Sequence, residues 1–367
     1  MSGWENYFIK CWDGTYGYKD KNVVKLPDNL PMPPTTNMHS IFHGCNRLQD
    51  ISALSSWDTS NVTCMHDLFG HCKRLKDISA LSSWDTSNVI DMREMFHECQ
   101  QLEDISALAK WNISSLENIK GMFWNCENLK DISGLANWNT SKVAYMSHMF
   151  RECYQLEGIS ALAKWNTGNV TEMDYMFWNC EQLEDITALA NWDVSNVKNM
   201  CEMFCHCEEL NNITALSNWN VSKVENIHNM FSECHQLTDI TALSNWVVAN
   251  VKDMRFTFFG CHQLKDITAL SNWNVSNVKD MGGMFSFCVQ LQNISALGDW
   301  DVSNVKNMQW MFFECRQLKD ISALANWNVS SVKNMSEMFR FCELLHDTTA
   351  LINWDVSNVK DMRYMFY

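Results

Sequence analysis

The stretch SALSSWDTSNV occupies Ser52–Val62 and occurs again, letter for letter, at Ser79–Val89. The second copy begins 27 residues after the first. A fixed period of about 20 to 50 residues is the sequence signature of a stacked-repeat fold, in which each repeat buries its apolar face against its neighbours. The spacing of this one stretch therefore predicts the architecture, provided that the rest of the chain keeps it.

Four residue types recur at the same 27-residue step along almost the whole chain of 367 residues. The shared unit reads V-x-x-M-x-x-M-F-x-x-C-x-x-L-x-D-I-[ST]-A-L-x-x-W-[DN]-x-S-N, in twelve copies without insertion or deletion. Equivalent residues form columns of cysteine from Cys45 to Cys342, tryptophan from Trp57 to Trp354, phenylalanine from Phe42 to Phe366 and leucine from Leu48 to Leu345. No single repeat can form a core, so the columns must stack on one another.

This pattern predicts an α/β solenoid: a leucine-rich-repeat-like right-handed coil of twelve 27-residue repeats, with one short parallel strand and one short helix in each coil. Val62, Met65, Leu68, Phe69 and Cys72 have the spacing of one helix face. The strand is expected at L-x-D-I. The segment S-N-V is a rival position, because lysine recurs directly after it, where the helix dipole disfavours a cation.

The sequence divides into an N-terminal cap over residues 1–36 and a solenoid over residues 37–367. All four prolines lie between Pro27 and Pro34, outside the repeats. The first segment is rich in aromatic residues, which suits a lid over the open end of the first coil. A disordered tail is the alternative, although such tails are rarely aromatic.

Composition and charge exclude several functions. A formal charge of -15 and a pI near 5.1 argue against a nucleic-acid partner, which calls for a basic face. We find no apolar run of membrane-span length and no signal peptide at the N-terminus. The sequence contains no phosphate-binding loop and no recognisable catalytic motif, so we expect no enzymatic activity and no cofactor.

The 16 cysteines do not have the spacing of a disulfide framework. Helices in neighbouring coils lie about 8–10 Å apart, which is too far for disulfides. We therefore expect a buried column of reduced thiols, which favours a reducing, intracellular compartment. The cluster Cys201, Cys205, His206 and Cys207 resembles a zinc site, but Cys207 belongs to the buried column, so no metal site is expected.

A column of aspartates precedes the isoleucine of each repeat, from Asp50 to Asp347. Stacked carboxylates can bind calcium, but Gly158, Asn212 and Asn293 interrupt this column. We expect these side chains to accept backbone N–H groups in a turn.

The stretch WDTSNVTCMHDLFGHCKRL, residues 57–75, resembles the repeat unit of the BspA-like leucine-rich repeat family. The resemblance extends from about Asn37 to the end of the chain, although the D-I-[ST]-A-L segment looks longer than the family's strand region. It implies adhesion or protein–protein interaction at a cell surface, without enzymatic activity. This location conflicts with the one that the cysteines favour, so the sequence leaves the compartment open.

Recognition is expected where the repeats differ. The residue before the second methionine and the residue after the phenylalanine vary most. In several repeats they are aromatic, and these are the candidate partner-binding residues: Trp124, Tyr175, Trp178, Phe256, Phe259, Trp310, Phe313, Tyr364 and Tyr367. One interpretation is packing, with Phe256 and Phe259 leaning over Gly283 and Ser286 of the next repeat. The other is an exposed aromatic surface that binds a partner.

These observations predict a non-enzymatic scaffold for protein–protein interaction or adhesion, with a protein partner. The alternative is a structural or assembly protein that stacks end to end through its uncapped C-terminal coil, because the last repeat ends at Tyr367 without a polar lid.

Overall fold

The structure, a computed structural model, describes residues 3–367 and forms two compact units. The first ends at Gln182, and the second covers Leu183–Tyr367. Met1 and Ser2, the first two residues of the segment predicted to be a cap, lie outside the described residues.

Each 27-residue repeat forms one coil that contains a short 3-10 helix at its S-A-L or T-A-L segment. In the first unit these helices are Ser52–Ser56, Ser79–Ser83, Ser106–Lys110, Ser133–Leu135 and Ser160–Lys164. In the second unit they are Thr187–Asn191, Thr214–Asn218, Thr241–Leu243, Thr268–Leu270, Ser295–Leu297, Ser322–Asn326 and Thr349–Leu351. The stacked coils confirm the solenoid class predicted from the period.

The columns form the core of each unit. In the first unit, the ring centroid of Trp84 lies 6.4 Å from that of Trp57 and 6.5 Å from that of Trp111, and the ring planes are nearly parallel. Each indole is also tied to a backbone carbonyl: Trp84 Nε1 donates to the Leu54 C=O at 2.9 Å. The second unit repeats this arrangement, with Trp219 and Trp246 6.4 Å apart. The buried phenylalanine rings stack in the same way at 5.5–5.8 Å.

The predicted helix over Val62–Cys72 is absent, and a series of turns replaces it. Alternate N–H groups donate to the next coil, as from Asp67 to the Arg93 C=O at 2.9 Å, while others close turns within the coil. The physical reason is the distance between coils. Rings stacked at under 6 Å leave no room for neighbouring helices, which need about 8–10 Å between their axes.

Parallel pairing between coils occurs at both positions that the sequence offered for the strand. Asp104 pairs with Asp131 within L-x-D-I, and Cys64 pairs with Asp91 just after S-N-V. These contacts are isolated bridges, not longer strands. The lysines after S-N-V are extended as well, since the Lys306 N–H donates to the Lys279 C=O at 2.8 Å.

The cysteine column is buried and forms no disulfide among the described residues. Its thiols donate to carbonyls of the preceding coil, as from Cys72 Sγ to the Phe42 C=O at 3.3 Å. The expected buried column of reduced thiols is confirmed. The spacing of neighbouring helices is not its cause, because the described coils contain no helix at the cysteine. These thiols are directed at a backbone carbonyl of the preceding coil and not at the neighbouring sulfur, as at Cys99 Sγ and the Phe69 C=O, 3.3 Å apart. Burial raises the pKa of Cys45 to about 11 and that of Cys342 to about 12.

The aspartate column accepts turn N–H groups, as predicted. Asp50 Oδ1 accepts the Ser52 N–H at 2.9 Å, and Asp320 Oδ1 accepts the Ser322 N–H at 2.7 Å. Hydrogen bonds to Ser52 and a nearby Lys25 lower the pKa of Asp50. The aspartate carboxylate, or the asparagine amide oxygen at Asn212 and Asn293, therefore holds the start of these 3-10 helices, and the hydroxyl of the following serine or threonine does not.

The segment before the repeats folds as a 3-10 helix, Trp4–Asn6, and an antiparallel hairpin of strands β1, Phe8–Lys10, and β2, Tyr16–Tyr18. Phe8 lies 6.2 Å from Trp57 and Tyr18 lies 5.5 Å from Phe42, centroid to centroid. These contacts bring the hairpin against the first coil. A capping role for the whole 1–36 segment stays a prediction.

Candidate functional site

Each coil contains two residues with positive φ, four positions apart, which form two columns. The first column has φ of 54–64° and comprises Ser40, Asp67, Glu94, Gly121, His148, Tyr175, Glu202, Asn229, Phe256, Gly283, Trp310, Glu337 and Tyr364. The second has φ of 56–72° and comprises Gly44, His71, Glu98, Asn125, Glu152, Asn179, His206, Glu233, Gly260, Phe287, Glu314 and Phe341.

Most of these residues are not glycine, although the left-handed region is costly for side chains with a Cβ. Hydrogen bonds between coils hold them there, as where the His71 N–H donates to the His97 C=O at 2.7 Å. The first column coincides with one of the two variable positions of the repeat. The variable side chains therefore project from a backbone that pairing fixes, a rigid frame suited to recognition.

The second unit carries a continuous aromatic surface on this frame, which we define as Phe256, Phe259, Phe287, Trp310, Phe313, Phe341, Tyr364 and Tyr367. Neighbouring ring centroids lie 5.2–6.4 Å apart along its whole length. It brings together all six of the candidate residues that lie in this unit.

Exposure differs along the aromatic surface. Trp310, Tyr364 and Tyr367 are 37%, 58% and 71% exposed, whereas Phe256, Phe259 and Phe313 are half-buried. The Phe256 ring covers Gly283, because a Cβ built on that glycine would lie only 2.1 Å from Phe256 Cε1. The two interpretations offered by the sequence thus apply to different residues: Phe256 packs over the next coil, and Trp310 faces outward.

A cleft of about 210 Å³ opens between the rings of the aromatic surface. Its walls are Phe256, Phe259, Phe287, Trp310 and Phe313, with Ser286 and Glu337 as the polar members. Two larger clefts, of about 360 and 580 Å³, lie in the first unit and are lined mainly by polar side chains. Of these three clefts, the aromatic one is suited to an apolar group.

A cation borders the aromatic surface at its C-terminal part. The Arg340 guanidinium lies 4.6 Å from the Phe341 ring centroid and 5.2 Å from those of Tyr364 and Tyr367. Arg340 Nη1 also donates to Glu337 Oε2 at 2.7 Å. The cation holds these rings in place by cation–π attraction.

The three candidates of the first unit also come together, around Arg151. Its guanidinium lies 4.9 Å from the Trp124 ring, 5.2 Å from Tyr175 and 4.5 Å from Trp178. All three aromatic residues are half-buried. The group is therefore more enclosed than the aromatic surface of the second unit.

Histidines continue this group along the first unit. His97 stacks on Trp124 at 4.3 Å, and His148 stacks on Tyr175 at 4.7 Å. Burial lowers the pKa of His97, and it lowers the pKa of His148 to about 4. Both imidazoles are therefore neutral at physiological pH.

Sequence reasoning missed Phe287 and Phe341. It placed Arg151 and Arg340 at a variable position but did not choose them as candidates. Phe287 and Phe341 lie in the second positive-φ column, which the sequence did not single out. That column otherwise contains only glycine, glutamate, histidine and asparagine, so two phenylalanines in it were a visible departure.

Three ligand atoms of metal-binding type converge at two places among residues 3–367: His71, His97 and Glu98, and Glu233, His235 and His262. Neither place includes Cys201, Cys205, His206 or Cys207. In the same range, no helix is long and apolar enough to cross a membrane.

The chain is a repeat solenoid. Backbone hydrogen bonds between its stacked coils fix the positions from which the variable side chains project. The model of the family described as "Mycoplasma protein of unknown function, DUF285" matches residues 36–159, 155–268, 238–344 and 290–367. The chain therefore belongs to this family. No curated protein matches it significantly.

Two solved structures are similar to the chain. One is a leucine-rich cell surface protein from Faecalibacterium prausnitzii, 17% identical, covering 98% of this chain and 93% of that one at a TM-score of 0.46. The other is a leucine-rich repeat protein of T. pallidum, 19% identical, covering 56% and 87% at a TM-score of 0.31. At these values the likenesses do not bear on function.

Proposed function

We propose that the protein is a non-enzymatic scaffold that binds another protein through the aromatic surface of its second unit. The observation that supports this most strongly is the continuity of that surface, from Phe256 to Tyr367, with Trp310 exposed within it. Contiguous exposed apolar area on a soluble domain usually marks a contact site. Tryptophan and tyrosine are also the residues most enriched among interface hot spots.

The size of the cleft and the charge of the chain favour a protein over other ligands. At about 210 Å³ the cleft is smaller than the roughly 300–1,000 Å³ typical of small-molecule pockets. It suits an apolar side chain presented by a partner. Bases of single-stranded nucleic acid also stack on aromatic rings, but such sites lie in positively charged grooves, and this chain has a formal charge of -15.

The resemblance to the BspA-like repeats refines this proposal toward adhesion. In that interpretation the partner is a protein of another cell or particle surface, and the rigid ladder presents the aromatic rings to it. We also propose that the protein catalyses no reaction.

Selection of peptide ligands on the full chain tests the proposed surface. Binders from a random displayed peptide library are measured against the wild type, Trp310→Glu and Trp12→Glu. Trp12 is a matched control, because it is fully exposed and lies outside the aromatic surface. We expect Trp310→Glu to weaken binding at least tenfold, as loss of a hot-spot residue does, while Trp12→Glu leaves it unchanged. Ligands that bind Trp310→Glu as tightly as the wild type contradict the proposal.

End-to-end assembly remains the alternative. If assembly is the function, the mass measured by light scattering rises with concentration, and Phe366→Glu abolishes the rise.

A further inference from the structure

The variable face of the first unit brings two imidazoles and one carboxylate together, at His71, His97 and Glu98. His71 Nδ1 lies 2.9 Å from Glu98 Oε2, and His97 Nε2 lies 3.8 Å from Glu98 Oε1. The three ligand atoms lie within 4.8 Å of one another. Each side chain is partly accessible, at 33%, 13% and 22%, so an ion can reach the group from solvent.

The backbone fixes this convergence. His71 and Glu98 are equivalent residues of the second positive-φ column in adjacent coils, with φ of 60° and 56°. The His71 N–H donates to the C=O of His97 at 2.7 Å, which sets the distance between the coils at this point. The His97 ring is oriented by Trp124, on which it stacks. The three ligands therefore stand on a rigid frame, as a preorganised metal site requires.

The distances are close to those of a tetrahedral metal site. Zinc binds histidine nitrogen and carboxylate oxygen at about 2.0–2.2 Å, which places neighbouring ligand atoms roughly 3.3 Å apart. The observed 2.9 and 3.8 Å lie on either side of that value but end at different oxygens of Glu98, so the carboxylate must turn slightly or bind the ion through both oxygens. The planes of the two imidazoles are inclined by 61°, so their nitrogen atoms can point toward a common centre.

One surface lysine must move when an ion binds. Lys73 Nζ lies 3.0 Å from Glu98 Oε2, and the lysine side chain is 44% exposed. Surface ion pairs of this kind contribute little to stability, about 0–1 kcal/mol, so their loss is a small obstacle.

We propose that His71, His97 and Glu98 bind one divalent transition-metal ion of the zinc type, with the remaining coordination position open to water or to a partner's side chain. Imidazole nitrogen with carboxylate oxygen is a ligand set that suits zinc, nickel, copper and iron more than calcium or magnesium. This proposal replaces the expectation, drawn from the sequence, that the chain has no metal site.

The second unit offers a comparator. Glu233, His235 and His262 also lie within 4.8 Å of one another, but the two imidazoles are stacked in parallel, with centroids 4.5 Å apart and planes inclined by 5°. Parallel rings direct their nitrogen atoms side by side and not toward one point. We therefore expect this cluster to bind metal much more weakly than the first.

Titration with Co²⁺, a spectroscopic substitute for zinc, tests the site in the full chain. The accessible cysteines are first replaced in a Cys11→Ser/Cys64→Ser background, which excludes thiolate ligands at the surface. We expect visible ligand-field absorption that saturates at one Co²⁺ per chain, shows no thiolate charge-transfer band and is abolished by excess Zn²⁺.

Three variants locate the ion. His71→Gln and Glu98→Gln should each weaken Co²⁺ binding at least tenfold, while the matched control His235→Gln/His262→Gln keeps the wild-type affinity. Circular dichroism checks that each variant is folded. If His71→Gln does not fold, Glu98→Gln carries the test, because that substitution hardly changes the side-chain volume. The proposal is overturned if no absorption develops, if it persists in Glu98→Gln, or if the control abolishes it.

Discussion

Replacing Gly283 by alanine tests how the aromatic surface is packed. Two costs are expected. Alanine in the left-handed region costs about 1 kcal/mol more than glycine. In addition, the new Cβ would lie 2.1 Å from Phe256 Cε1 and 2.3 Å from Cδ1. Pushing the ring away should cost a further 1–3 kcal/mol or so, the usual range for overpacking. We expect Gly283→Ala to lower the free energy of unfolding by about 2–4 kcal/mol in total.

Gly121 provides the matched control, because it lies in the same column at φ 59°. Its added Cβ would meet the flexible Glu94 side chain at 3.2 Å and Trp124 only at an ordinary contact distance of 3.8 Å. Gly121→Ala should therefore cost only about 1 kcal/mol. Urea unfolding followed by fluorescence gives the free energies, and a cycle with Phe256→Ala isolates the clash. The double variant Phe256→Ala/Gly283→Ala should be more stable than the sum of the single effects by about 1–3 kcal/mol. Additive effects, or a Gly283→Ala variant as stable as Gly121→Ala, would refute this packing.

Two further predictions concern buried groups. Burial lowers the pKa of His148 to about 4 in the folded chain, although the Asp174 carboxylate at 3.5 Å opposes the shift. The unfolded chain therefore binds the extra proton as pH falls below about 6.5, and stability is lost toward pH 4. The variant His148→Phe keeps a ring between Trp124 and Tyr175 but cannot be protonated. Its free energy of unfolding, measured by urea titration at pH 7, 5.5 and 4, should therefore fall less than that of the wild type. An equal fall in both proteins would contradict this. The second prediction concerns the cysteines. Titration of the native chain with a thiol reagent should detect Cys11 at once and Cys64 more slowly. The other cysteines should react only in denaturant, because they are buried. Rapid reaction of the cysteine column in the native chain would mean that the column is not core.

The residues that build the core could be predicted from the sequence because packing in a solenoid depends only on the repeat period. Trp84, Phe96 and Cys99 lie in the columns that the 27-residue spacing assigns them. The local backbone between Val62 and Cys72 could not be predicted. Its apolar residues have helical spacing, but the same spacing arises when successive turns point every third or fourth side chain inward.

The candidate site was only partly predictable for a related reason. The variable positions were visible as departures from the repeat, which located Trp310 and Phe256. The positive φ of these positions could not be predicted, because glutamate, histidine and tryptophan do not indicate a left-handed backbone. Only Gly121 and Gly283, at two positions of this column, pointed to it. The 27-residue period makes His71 and Glu98 neighbours, but it does not show that the His97 side chain turns toward both of them, because that depends on the backbone.

Spin labelling tests the register of the stack most directly. Lys279 and Lys306 are exposed, equivalent residues of adjacent coils, joined by a backbone hydrogen bond of 2.8 Å. Nitroxides at both positions, in a background without Cys11 and Cys64, should show strong dipolar broadening, because paired parallel segments lie about 4.8 Å apart. A label pair at Lys279 and Asp299 is closer in sequence but belongs to different columns, and its spectrum should show weaker broadening. If the pair at 279 and 306 is broadened no more than this control pair, equivalent residues of successive repeats are not neighbours, and the solenoid account is wrong.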